Sequence, residues 1–109
     1  MLHPMRRLAT VGAMILERAE LSVIPGREAE FEAAFAGVRH LPGEIEGFRS
    51  LRLVRGIESP SLYVLLIEWD SVEAHEHGFR GSAQYDQWRS ALHHFYDPFP
   101  VVEHFSVVD

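Results

Sequence analysis

From Ile15 to Ile24 the chain alternates between two kinds of position. Ile15, Glu17, Ala19, Leu21 and Val23 fall on one side of an extended backbone, and Leu16, Arg18, Glu20, Ser22 and Ile24 on the other, the second set mostly polar. A period of two with one apolar side predicts a first strand lying on a core. Pro25-Gly26 stops it, and the period changes. Phe31, Ala34, Phe35 and Val38 stand at i, i+3, i+4 and i+7, the spacing of a helix that buries one stripe. That helix is predicted from about Arg27 to Leu41, with Glu28, Glu30 and Glu32 near its N-terminus, where the helix dipole favours negative charge.

Pro42-Gly43 and Glu46-Gly47 mark a loop, Phe48 to Arg55 reads as a second strand, Gly56 to Ser61 as a turn, and Leu62 to Trp69 as a third strand, so the two strands form a hairpin. Asp70-Ser71-Val72-Glu73 offers a helix start with Asp70 as N-cap and Glu73 as its reciprocal partner. The short helix reaches about Phe79, where Gly78 and Gly81 break it. Ser82 caps another helix, whose apolar stripe is Tyr85, Trp88, Ala91, Leu92 and Phe95. Asp97-Pro98-Phe99-Pro100 ends it, and Val101 to Val108 is the last strand.

The order β, α, β, β, α (interrupted), β is that of an α+β ferredoxin-like fold, in which both helices cover one face of a four-stranded sheet. The third strand adds a demand. Leu62-Tyr63-Val64-Leu65-Leu66-Ile67 is apolar at both parities, as expected when both faces are covered. A strand of this kind left open to water makes a patch larger than most monomers carry, so the second face is expected to meet another copy of the chain.

Composition trims the possible chemistry. A chain of 109 residues with 47% apolar and 24% charged residues reads as one ordinary globular domain. The net charge is -6 and Arg6-Arg7 is the one basic pair of note, which argues against nucleic acid and anionic membranes as partners. Cysteine and lysine are both absent, so thiol nucleophiles, thiolate metal sites and lysine Schiff bases are excluded. Residues 1–13 read as a disordered tail ahead of the folded domain at 14–109, Glu17, Arg18 and Glu20 following too soon for a signal peptide. The longest apolar run, Leu62 to Ile67, is far short of the roughly 20 residues that span a bilayer, and a cytoplasmic location is expected.

Three segments carry a family likeness: Pro25-Gly26-Arg27-Glu28, Gly47-Phe48, and Glu68-Trp69-Asp70-Ser71-Val72-Glu73-Ala74-His75. Over residues 15 to 108 the chain resembles the antibiotic biosynthesis monooxygenase family. The resemblance implies a dimeric α+β barrel, two ferredoxin-like sheets packed face to face, in a family that holds cofactor-free oxygenases, haem-degrading enzymes and isomerases. The haem branch's strand Asn, helix Trp and axial His fall at Ala19, at Gly78 and near Arg89 or Trp88, so its pattern is not kept. The anthrone-oxidising branch fits better: its Trp and Arg match Trp69 and Arg89, and its Tyr becomes His75. Its Asn and His, however, fall at Leu65 and near Val54.

Cofactor-free oxygenation needs an apolar cavity, a base for an acidic C–H or phenol, and exclusion of water. His75 is the candidate base, Arg89 the cation for a developing enolate, and Trp69 an edge for an aromatic ring. Each has a plainer reading: His75 as an exposed helix histidine, Arg89 as the partner of Asp86, Trp69 as core with a satisfied N–H. Tyr85 is either stripe or substrate contact, as is Trp88. His93 and Tyr96 are further substrate-contact and proton-transfer candidates if the pocket opens toward them, and otherwise serve the helix end. His75-x-His77 and His93-His94 diverge at those spacings, leaving a metal only a scattered set such as His77, His93 and His104. The expectation is therefore a homodimer without metal or flavin that oxidises a small aromatic, hydroquinone or anthrone-like molecule; the rival is a non-catalytic ligand-binding or stress-related homodimer. An isomerase or hydrolase with a histidine base is a third possibility. An open cavity holding two or more of the polar candidates favours the enzyme.

Overall fold

The alternation at the start of the chain becomes the centre of the sheet. A computed structural model describes residues 14–109. The expected tail at residues 1–13 lies outside the described residues. Strands β1 (Ile15–Ser22), β2 (Phe48–Arg55), β3 (Leu62–Trp69) and β4 (Val102–Ser106) form one antiparallel sheet in the order β2-β3-β1-β4. Helices α1 (Glu28–Val38) and α2 (Ala83–Leu92) complete the expected βαββαβ ferredoxin-like order.

Side chains of one parity point at the helices. Ala19 and Leu21 of β1 and Tyr63, Leu65, Ile67 and Trp69 of β3 are buried there against Phe31 and Phe35 of α1 and Trp88 and Leu92 of α2. Edge-on ring contacts lock this layer, Phe31 to Tyr63 at 4.9 Å and Phe35 to Trp88 at 5.7 Å between centroids. The opposite parity of β3, Leu62, Val64 and Leu66, lies on the face without helices, with Val54 and Arg52 of β2 on one side and Ser22, Glu20 and Arg18 of β1 on the other. Both faces of β3 are thus apolar, as its sequence demands.

Several boundaries move for local reasons. Helix α1 stops at Val38 rather than Leu41, because the Leu41 N–H turns back to the Val38 carbonyl at 3.0 Å and Pro42 then opens a 3₁₀ turn over Pro42–Glu44. The last helix ends at Leu92 and continues as a 3₁₀ turn over His93–Phe95. Strand β4 is shorter than Val101 to Val108 because β1 offers it partners only from Ile15 to Ala19. Ser82 caps α2 as expected, its Oγ accepting the Tyr85 N–H at 3.2 Å. At the preceding helix the cap is Ser71, which accepts the Ala74 N–H at 3.1 Å; Asp70 instead accepts from Arg49 Nε at 2.6 Å. The segment itself, Ala74–Phe79, is a π-helical turn, closed by the Arg80 N–H on the His75 carbonyl at 3.0 Å. Such turns take in one more residue than an α turn and recur at functional sites. Here both His75 and Phe79 end up buried. Among the described residues no helix is long and apolar enough to cross a membrane.

The loop before β2 depends on one glycine. Gly47 has φ +96°, and a Cβ built on it would stand 2.7 Å from the Ala74 Cβ, pressing on the start of the π turn. Gly47→Ala is expected to lower stability by about 1–3 kcal/mol, read from urea denaturation. Gly37→Ala, in α1 with nothing within 4 Å of the added carbon, is the control and should be neutral or stabilising.

Candidate active site

Glu17 breaks the apolar side of β1. It has the inward parity of Ala19 and Leu21 and is only 5% exposed, so its carboxyl sits in the layer between sheet and helices. Trp69, fully buried at the end of β3, donates its Nε1–H to Glu17 Oε1 at 2.8 Å. The register sets His104 of β4 opposite Glu17 on the other flank. The π turn supplies the third group: His75, 2% exposed, places Nε2 3.4 Å from Glu17 Oε1 and Nδ1 2.8 Å from His104 Nε2. The His75 ring lies nearly parallel to the Trp69 indole, 25° between planes at 5.8 Å.

Burial dominates the acid–base behaviour of this cluster. It pushes the Glu17 carboxyl up to about 7, against the opposing pull of the Trp69 hydrogen bond and the Arg80 charge. Burial also pushes the His75 imidazolium down to about 3, and the charges of Arg80 and His104 add to it. Near neutral pH the pair is therefore a neutral imidazole beside a carboxyl poised between acid and base.

The pair looks into a cavity of about 380 Å³. Ala19, Leu21 and Leu65 make its floor, Phe79 and Trp88 an apolar wall, and Tyr85, His93 and Tyr96 the far polar side. Arg80, just past the π turn, reaches the same space, and Phe99 and Pro100 border it. Burial raises the Tyr96 phenol above its ordinary range, with Tyr85 adding to the shift, so it stays a neutral donor. His93 is held below its usual value by burial, then by the charges of Arg89 and Arg80. Among the described residues no three histidine or acidic side chains are grouped as ligands for a metal ion.

Of the residues singled out in the sequence, His75, Tyr85, His93 and Tyr96 meet in this cavity. Two do not. Trp69 lies behind the wall, where it holds Glu17 rather than facing a substrate. Arg89 projects from α2 into solvent, its guanidinium 3.8 Å from Asp86, because it lies on the outer flank of the buried stripe of Trp88 and Leu92. The cation at the cavity is Arg80. Glu17 and Arg80 were missed, and His104 was named only in a scattered metal set with His77 and His93, though Glu17 carries a signal: a carboxylate on the apolar parity of an otherwise regular strand.

Comparison with known proteins agrees with the architecture. Residues 14–93 match the profile of the family described as antibiotic biosynthesis monooxygenase. The uncharacterized protein YczJ of Bacillus subtilis is 42% identical over 95 residues, which span 87% of this chain and all of YczJ. A solved structure of an antibiotic biosynthesis monooxygenase candidate from Bordetella bronchiseptica superposes with a TM-score of 0.85 at 38% identity, covering 89% of this chain and 99% of that one. SnoaB of Streptomyces nogalater, a cofactor-independent oxygenase, shares the fold with a TM-score of 0.66 at 21% identity, over 89% and 93% of the two chains.

The two buried groups set opposite limbs of the stability profile. Glu17 ionises near 4.5 when unfolded and about 7 when folded, so its contribution is whole below about 4.5 and lost as pH rises through 7. His75 takes up its proton near 6.5 unfolded and about 3 folded, so its contribution is whole above about 6.5 and lost as pH falls toward 3. Urea midpoints should peak between these limbs. Because the His75 gain offsets most of the Glu17 loss between pH 4.5 and 6.5, the test is a difference: Glu17→Gln, which keeps an acceptor for Trp69, should gain about 3 kcal/mol on the unaltered chain between pH 4.5 and 7, and a difference that stays constant over that range would mean that Glu17 does not titrate there.

Proposed function

The chain belongs to the antibiotic biosynthesis monooxygenase family, and we propose that it is a cofactor-independent oxygenase that oxidises a small aromatic, hydroquinone or anthrone-like molecule in the cavity beside Glu17 and His75. The observation that carries this reading is the poised Glu17 carboxyl on the wall of a cavity lined by apolar and polar side chains together, 3.4 Å from a neutral imidazole. A general base works best when it titrates near the working pH.

The chemistry then needs only dioxygen. The Glu17 carboxylate takes a proton from an activated CH₂ group, and the electrons left on carbon spread into the ring as an enolate, steadied by the Arg80 charge and by the phenol of Tyr96. The carbanion gives one electron to dioxygen, the two radicals join in a C–O bond, and the peroxide takes up a proton. Loss of water from the CH–OOH carbon leaves a ketone, so one oxygen atom stays on the product and the other departs as water. SnoaB, with the same fold, is a cofactor-independent oxygenase. The open cavity with several polar groups favours this reading over a ligand-binding dimer whose cavity is filled by aromatic side chains.

The reading includes a second copy of the chain on the helix-free face. Leu62, Val64 and Leu66, with Val54 39% exposed beside Val64, and Leu16 with Phe105 43% exposed beside it, give this face apolar groups set among Arg18, Glu20 and Arg52, a mixed surface that a second copy could cover. The unaltered chain should sediment as a dimer, and Leu66→Arg, which sets a charge in that surface, should sediment as a monomer. A monomeric unaltered chain would remove the homodimer from this account.

Activity is tested with an oxygen electrode and a panel of hydroxyanthrones and dihydroquinones. Dioxygen uptake is expected with at least one, reduced roughly 100-fold or more in Glu17→Gln and essentially unchanged in Arg89→Ala. No uptake across the panel by folded protein would turn the assignment to the rival, a non-catalytic ligand-binding or stress-related homodimer.

A further inference from the structure

A buried base must also dispose of the proton it takes. Glu17 is only 5% exposed, and His75, its neighbour on the cavity wall, only 2%. His104 is placed differently: it lies on β4, at the edge of the sheet, half-buried and off the cavity lining. The three groups form a line, with 3.4 Å from Glu17 Oε1 to His75 Nε2 and 2.8 Å from His75 Nδ1 to His104 Nε2. The other charged and titratable groups facing the cluster are Arg80 past the π turn and Tyr85, His93 and Tyr96 across the cavity. No hydrogen bond among the described residues joins any of these to Glu17, His75 or His104.

We propose that Glu17, His75 and His104 form a proton relay that carries a proton from the cavity to solvent at the edge strand, with His104 as its exit. In the loaded state Glu17 is a carboxylic acid, His75 carries its hydrogen on Nδ1 and donates it to His104 Nε2, and His104 carries its hydrogen on Nδ1. Discharge takes three hops. The Glu17 proton passes to His75 Nε2, the His75 Nδ1 proton passes to His104 Nε2, and the His104 Nδ1 proton leaves to water. Glu17 is then a carboxylate, each histidine is neutral with its hydrogen on Nε2, and one proton has been released. Burial, then Arg80 and His104, disfavour a charged His75, so arrival at Nε2 and departure from Nδ1 must be concerted.

The relay depends on the oxygenase reading only for its part in turnover, and its first test needs no substrate. In protein labelled with ¹⁵N-histidine, two-bond ¹H–¹⁵N correlations report which ring nitrogen carries hydrogen. As Glu17 ionises, near 7, the hydrogens of His75 and His104 should both move from Nδ1 to Nε2, and in Glu17→Gln both should stay put over the same range. A His75 that keeps one tautomer while Glu17 ionises overturns the relay, even if no variant folds. So does a switch that survives in Glu17→Gln. In turnover, His104→Phe should lower kcat on the order of tenfold with KM unchanged, and added imidazole should restore it; an unaltered kcat removes His104 as the exit. A tautomer switch without dioxygen uptake would sink the oxygenase and leave the relay standing, whereas Glu17-dependent uptake with fixed tautomers would do the reverse.

Discussion

The hydrogen bond from the Trp69 indole to the Glu17 carboxyl is the contact on which the rest of the site depends. A carboxyl placed among apolar side chains costs several kcal/mol if it must ionise without partners. The chain meets this with one neutral donor at 2.8 Å, not with a buried cation, and leaves the acid free to titrate near neutrality. A guanidinium in van der Waals contact would have fixed the carboxylate as an anion of ordinary or depressed pKa, a poor partner for proton transfer. Arg80 instead acts from the outer side of the cavity, softening the shift without abolishing it.

Everything around that contact has a positional role. Strand alternation brings Glu17 inward, antiparallel register sets His104 beside it, and the π turn brings His75 over the indole. An α turn at the same place would have taken in one residue fewer and changed the angle at which His75 meets the sheet. Gly47, which tolerates no Cβ against Ala74, lets the loop before β2 approach that turn closely. The sheet thus provides two of the three proton-carrying groups and an irregular helix the third.

The fold was largely legible in the chain because its signals are local: alternation in β1 and β3, the Phe31 to Val38 stripe, and Pro-Gly punctuation between elements. The Leu62 to Ile67 run divides as its alternation requires, with Tyr63, Leu65 and Ile67 in the core and Leu62, Val64 and Leu66 half-buried on the helix-free face. Helix ends were less legible, because the turn of Leu41 onto Val38 and the π closure at Arg80 are choices of hydrogen-bond partner that periodicity does not encode. The site divides in the same way. His75, Tyr85, His93 and Tyr96 could be picked out as chemistry-bearing types near one another in order, whereas Arg89 was misplaced by family likeness when its own helix face points to Asp86 and solvent. Glu17 and His104 required the register between β1 and β4, a long-range fact. The inward parity of Glu17 was nevertheless present in the first ten positions of strand pattern and is the stronger clue.

The central claim is that a neutral donor and burial hold Glu17 between acid and base at physiological pH. The direct measurement is the side-chain carboxyl ¹³C shift of Glu17 against pH, assigned by difference from Glu17→Gln. A single transition near 7 is the result this account requires. A transition at the ordinary carboxylate value, close to 4.5, would mean that Glu17 is a spectator anion and that the cavity's base lies elsewhere.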